Sequence, residues 1–195
     1  MTTRIRVVGM DPSLRNWGLA AGYLDLDSLT LEVTCLDVIN PVVPTGKQVR
    51  QNSKDLESAY QMYEQALGAV LQAQAVFVEV PVGSQSARAM SSYGICVGVL
   101  GAIRKSLGFY QVTPTEVKLA TAGTKTASKK QMIEWATTKH PEAHWPTYTK
   151  SGQVLLSEAK AEHQADAIGA IYAGAQGVEF QRSIPMFRNM VSNAD

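Results

Sequence analysis

The chain has 195 residues, 45% of them hydrophobic and 18% charged, with a net charge of +1, which suits one buried core and little more. No run of about 18 apolar residues is present to span a bilayer, and Met1 to Arg6 leads straight into a strand pattern instead of a signal peptide's apolar region. A cytoplasmic location with no membrane partner is therefore expected, whereas so small a net charge does not by itself mark a nucleic-acid binder.

Arg4 to Met10 reads as a strand that stops at Asp11-Pro12, because proline removes a ladder donor. Trp17 to Leu26 and Leu29 to Ile39 read as two more strands joined at Asp27-Ser28, with Leu29, Leu31, Val33 and Cys35 alternating on one face. Asn40 to Ser53 is loop-like. Helical spacing of Leu56, Ala59, Tyr60, Tyr63, Leu67, Val70 and Leu71 predicts an amphipathic helix over 54–74.

Ala75 to Val80 is almost wholly apolar, the pattern of a central strand buried on both faces, and Glu79 is its one charge. Gln85 to Leu107 predicts a long helix with Gly94, Gly98 and Gly101 on neighbouring turns, a sign of close approach by another element. Phe109 to Val112 is a fifth strand. Thr113 starts a short helix that Gly123 ends, Ser128 caps another running to His140-Pro141, 141–157 is loop-like, and a last helix spans 158–175. These elements predict an α/β fold with a mixed five-stranded sheet, an antiparallel opening meander and helices on both faces. One domain over residues 1–178 and a C-terminal tail over 179–195 are expected. Cys35 and Cys96 lack metal-site spacing and read as buried reduced thiols.

Charge is unevenly placed. Residues 1–103 carry seven Lys and Arg against nine Asp and Glu, residues 104–150 eight against three, and residues 151–195 three against five. A solvated helix face accounts for such a basic block as readily as nucleic acid does.

Three separated segments carry the chemistry. Asp11 ends the first strand, where an Asp-Pro turn would also explain it. Glu79 lies in a strand whose other side chains want the interior, and an ion pair with arginine is its plainer explanation. His163 and Asp166 are three residues apart and share a helix face, which a local hydrogen bond would satisfy. Together they bring oxygen ligands to one sheet edge, a donor set suited to Mg²⁺ rather than to structural zinc.

The segments Gly9 to Asn16 with Gly18, Val78-Glu79, Thr113 to Lys118, Ala127-Ser128-Lys129 and His163 to Ala167 resemble, in order, the RuvC family of Holliday-junction resolvases. The resemblance implies an RNase H-like fold, a homodimer, Mg²⁺ dependence with Mn²⁺ as a substitute, and symmetric nicking of four-way DNA junctions. It places Asp11, Glu79, His163 and Asp166 on the family's catalytic metal positions, His163 as a ligand or as a positioner of water, around two ions for an in-line hydrolysis that leaves 5′-phosphate ends. It makes Lys118 and Lys129 DNA contacts, and Arg104, Lys105, Lys125 and Lys130 of the basic block are expected to follow phosphates beside them. The helix over 85–107, with Met90, Ile95, Val97, Val99 and Leu100 beside its glycines, is the expected dimer contact. One departure stands out: Val82 follows Glu79 where the bacterial enzymes carry an aromatic, and Tyr93 is a poor substitute, better read as packing. Three rivals stay open: a broader debranching nuclease for flaps, forks and R-loops, a catalytically silent junction-binding protein, and an actin-like ATPase. The last lacks a second Asp-Gly-rich phosphate loop.

Overall fold

The computed structural model describes residues 3–104 and 108–192. Strand β1 (Arg4–Asp11) pairs antiparallel with β2 (Trp17–Asp25), and β2 with β3 (Leu31–Ile39). The β2–β3 turn is tied by the Asp25 carboxylate, which accepts the N–H groups of Asp27 at 2.9 Å and Ser28 at 2.8 Å. On its other side β1 pairs in parallel with β4 (Ala75–Glu79), which pairs in parallel with β5 (Phe109–Val112). The order β3-β2-β1-β4-β5 makes β1 and β4 central.

Strand alternation gives the sheet two apolar faces. Val8, Met10, Trp17, Val76 and Val78 pack beneath α1 (Gln51–Gln72) and α2 (Ala87–Ile103). Ile5, Val7, Ala75 and Phe77 pack on the other face with α3 (Pro114–Ala122), α4 (Lys129–Lys139) and α5 (Glu158–Gln176). The predicted helix signals are in place: Thr113 with Glu116 and Ser128 with Gln131 form capping boxes, and Gly123 ends α3 at φ 71°. Among the described residues, no helix is long and apolar enough to cross a membrane.

Glycine decides how closely α5 seats. A Cβ on Gly9 would stand 2.0 Å from the Ala167 carbonyl oxygen, and one on Gly18 would stand 2.1 Å from that of His163. Bare backbone at these two positions lets the helix lie directly on β1 and β2.

Five details differ from expectation. The segment 141–157 is not all loop: β6 (Thr147–Lys150) and β7 (Gln153–Leu156) form a hairpin. Residues 178–192 are no bare tail but helix α6 (Val178–Ser192), whose Phe180, Ile184 and Phe187 are buried. Burying two phenylalanines contributes about 1.5–3 kcal/mol each, which offsets the roughly 3 kcal/mol cost of Pro185 inside the helix. Cys35 is exposed while Cys96 is buried; a bulge pairs Ala21 with Cys35 and Gly22 with Val33, so Thr34 is extra and Cys35 leaves the face of Val33. On α1 the inward residues are Asp55, Ser58, Met62, Ala66 and Val70, leaving Leu56, Tyr60 and Leu71 exposed. Finally, α2 ends at Ile103, and Lys105, expected as a DNA contact, lies outside the described residues.

Candidate active site

The register of β1 and β4 places two acids side by side. Met10 is level with Val78, so Asp11 and Glu79 follow at adjacent strand ends, about 4.8 Å apart in backbone spacing. Both share the parity of residues packed toward α5, Val7 on β1 and Phe77 on β4. Their carboxylates therefore face the helix carrying His163 and Asp166, and Gly18 seats that helix at the level of His163. His163 Nδ1 lies 2.7 Å from Asp11 Oδ2. An ionised carboxylate only accepts, so Nδ1–H donates and Nε2 stays available.

Electrostatics binds the four residues into one site. Burial and then the charges of Asp11 and Asp166 push the Glu79 carboxyl up to about 9. Asp166 is raised to about 7 by burial, then by Asp11 and Glu162. The Asp11 hydrogen bond raises His163. Lys118 stands near enough to oppose the rise at both Glu79 and Asp166. Lys129 pairs with Glu162 at 2.6 Å and feels the charges of Asp166 and Asp11. These two lysines thus border the site.

The remaining basic candidates are spread out. Lys125 and Lys130 are exposed between α3 and the first turn of α4. Arg104 is not brought to the site: it lies 6.0 Å from the Phe109 ring centre, and Phe109 pairs with Val76, three residues before Glu79, toward the amino end of β4. Val82 is 74% exposed and Tyr93 partly buried.

Sequence reasoning missed a second cationic feature. Arg15, Lys54 and Arg88 line a cavity of about 510 Å³ with Asn16, Asn40 and Gln51, just beyond the Asp11-Pro12 turn. Arg88 is fixed by two hydrogen bonds of 2.6 Å to the buried Asp55, whose carboxyl this pairing holds below its ordinary value. The partners are 33 residues apart, a separation at which local pattern carries no signal. A larger cavity of about 710 Å³ lies between β5, α3 and the α5–α6 junction, and none of the four candidate residues lines it.

The donor chemistry fits a hard divalent cation, since three carboxylates and one imidazole share a partly buried space in which two of the acids resist ionising. As the side chains lie, no three His, Cys, Asp or Glu groups among the described residues enclose a common ion position; Asp11 is turned to His163 instead. With Glu79, Asp166 and His163 all raised, the metal-free fold binds protons that the unfolded chain has released. The stability these groups contribute is thus fullest at low pH and is lost as pH rises through about 7 for Asp166 and about 9 for Glu79. The slope is at most about 1.4 kcal/mol per pH unit for each proton. In a chelating buffer the melting temperature should fall from pH 6 to 9, and Mg²⁺ should restore it most at the alkaline end; a flat, metal-insensitive profile would count against the cation site.

No protein-family model and no curated protein matches the sequence. Among the solved structures that share the fold are two of RuvC. T. thermophilus RuvC in complex with Holliday junction substrate superposes with a TM-score of 0.61 at 19% identity, covering 86% of this chain and 93% of that one. A second Thermus thermophilus RuvC structure gives 0.59 at 19% identity, with 87% and 93% covered. The fold is that of RuvC, an α/β architecture of the RNase H-like type.

Proposed function

We propose that this chain is a metal-dependent endonuclease that resolves Holliday junctions and related branched DNA. The observation that carries this is the convergence of Asp11, Glu79, His163 and Asp166 on the α5 side of a RuvC-type sheet. Asp11, Glu79 and Asp166 would hold the divalent metal, Mg²⁺ by choice and Mn²⁺ in its place, with His163 a further ligand or a positioner of Asp11. Two such ions when bound supply Lewis-acid stabilisation and an activated water for in-line hydrolysis, leaving 5′-phosphate ends. His163 orients Asp11 through Nδ1–H and keeps Nε2 for a ligand or water. Lys118 and Lys129, with Lys125 and Lys130 beyond, supply positive charge to the strand, and Arg15, Lys54 and Arg88 extend it past the Asp11-Pro12 turn.

The direct test is cleavage of synthetic four-way junctions, forks, flaps, R-loops and linear duplex with Mg²⁺, side by side. Paired nicks confined to the four-way junction support resolution. Comparable cutting of the other branches favours a general debranching enzyme, a reading that Val82 in place of an aromatic supports. No cleavage of any substrate sinks the proposal. Lys118→Ala and Lys129→Ala should each slow cutting and make the salt dependence of binding shallower by about 0.9 log–log units per lost phosphate contact. Wild-type turnover with an unchanged salt slope would return both lysines to an ordinary solvated face.

Two nicks related by symmetry call for a homodimer. Met90, Gly94, Val97, Gly98 and Gly101 form an exposed stripe on α2, and Cβ atoms on Gly94, Gly98 or Gly101 would meet nothing within 4 Å. No contact among the described residues explains those glycines, whereas a second helix crossing here would. Gly98→Glu should sediment as a monomer and nick singly. A wild-type monomer making coordinated nicks at micromolar concentration would overturn the dimer. A cytoplasmic setting fits this activity.

A further inference from the structure

The β6–β7 hairpin stands exposed on the fold. A two-stranded hairpin is marginal in water unless something covers it, yet every residue from Thr147 to Leu155 is exposed, with Tyr148 at 48%, Val154 at 70% and Leu155 at 37%. It is well formed all the same. Ser151 at φ 50° and Gly152 at φ 78° make the two-residue turn that matches strand twist, Tyr148 pairs with Leu155 and Thr149 with Val154, and Ser157 N–H donates to the Pro146 carbonyl at 2.7 Å to close the base.

Its place follows from α5. That helix passes Gly9 at Ala167 and the Asp11 level at His163, so its N-terminal residue, Glu158, stands about 7.5 Å farther out at 1.5 Å rise per residue. The base of the hairpin leads directly into this end, which sets it beside the edge of the sheet that carries Asp11 and Glu79. Its charge is one-sided: Lys150 stands near the tip, Thr147, Tyr148, Thr149 and Gln153 offer donors, and no acidic residue occurs between Glu142 and Glu158.

We propose that this hairpin is a DNA-binding arm, laid against the duplex arm next to the strand that is cut. The inference rests on the nuclease reading above and extends it to a contact outside the metal site. A two-stranded ribbon fits the major groove, about 12 Å wide. There Lys150 meets a phosphate and the Tyr148–Leu155 pair covers apolar edges. The hairpin thereby supplies substrate contact in a chain that carries Val82 where an aromatic wedge would stand.

The test measures four-way junction binding by fluorescence anisotropy, with Glu79→Gln in every protein so that the DNA stays intact. Tyr148→Ala with Lys150→Ala should raise Kd about tenfold, flatten the salt slope by about 0.9 and leave the melting temperature unchanged. A variant with Tyr148 to Leu155 replaced by Asn-Gly should lose at least as much affinity; should it fail to fold, the double substitution decides. Kd within twofold of the Glu79→Gln parent, where the wild-type chain binds and cuts the junction, overturns the arm. A fall from dimer to monomer with DNA affinity retained also overturns it, in favour of a self-contact. If the wild-type chain neither binds nor cuts branched DNA, the nuclease reading itself fails and the arm falls with it.

Discussion

Asp11→Asn, Glu79→Gln and Asp166→Asn should each lower nicking of a four-way junction by about 100-fold or more, the scale on which a preorganised electrostatic group is lost. Each removes a charge for the cation with almost no change of shape. Glu79→Gln and Asp166→Asn carry a second signature, because burial and neighbouring acids raise both groups. Replacing either by its amide removes the cost of keeping an acid there, a proton held at Glu79 or a charge at Asp166, so the metal-free variants should melt higher than the wild type at pH 8. Loss of activity with gain of stability separates a functional acid from a structural one, whose removal would lower both. Nicking retained at about a tenth of wild type would remove that residue from the site.

Much of this site was legible before the fold was known. Asp11 could be placed at a strand end because Pro12 forbids the strand to continue, and Glu79 because an apolar run of that length belongs in the middle of a sheet. The capping residues Thr113 and Ser128 announced their helices through short-range chemistry. What stayed hidden depends on partners distant in sequence. The bulge that turns Cys35 outward exists only relative to β2. The inward face of α1 is turned toward Asp55, buried because Arg88 holds it from another helix, so Val70 of the apolar pattern is buried and Ala59, Tyr63 and Leu67 pack partly, while Leu56, Tyr60 and Leu71 stay outside.

Two misses did leave a local signal. Thr-Tyr-Thr-Lys and Gln-Val-Leu-Leu flank Ser151-Gly152, a strand pattern about a turn dipeptide. Phe180, Ile184, Phe187 and Val191 repeat at helical spacing across Pro185. In both cases a turn or breaker residue outweighed the periodicity around it.

The glycines under α5 connect packing to chemistry most directly, and their substitution should have a large effect on both. Gly18→Ala would set a methyl group 2.1 Å from the His163 carbonyl oxygen, and Gly9→Ala one 2.0 Å from that of Ala167, next to Asp166. Neither obstacle is a side-chain end that can swing aside, so the helix backbone must lift. Overpacking costs about 1–3 kcal/mol when side chains can adjust, and here it should reach the upper end, lowering the melting temperature by about 6–12 °C at 2–4 °C per kcal/mol. At 25 °C the chain should remain folded, yet the lift separates His163 and Asp166 from Asp11 and Glu79. A displacement of about 1 Å can slow a positioned reaction roughly 100-fold. Gly68→Ala is the control: its Cβ meets nothing within 4 Å on α1, and alanine favours a helix over glycine by up to about 1 kcal/mol. Gly68→Ala should therefore melt slightly higher and nick normally. If Gly18→Ala matched it in both measurements, α5 would not rest on bare β2 backbone, and the seating of His163 against Asp11 would need another cause.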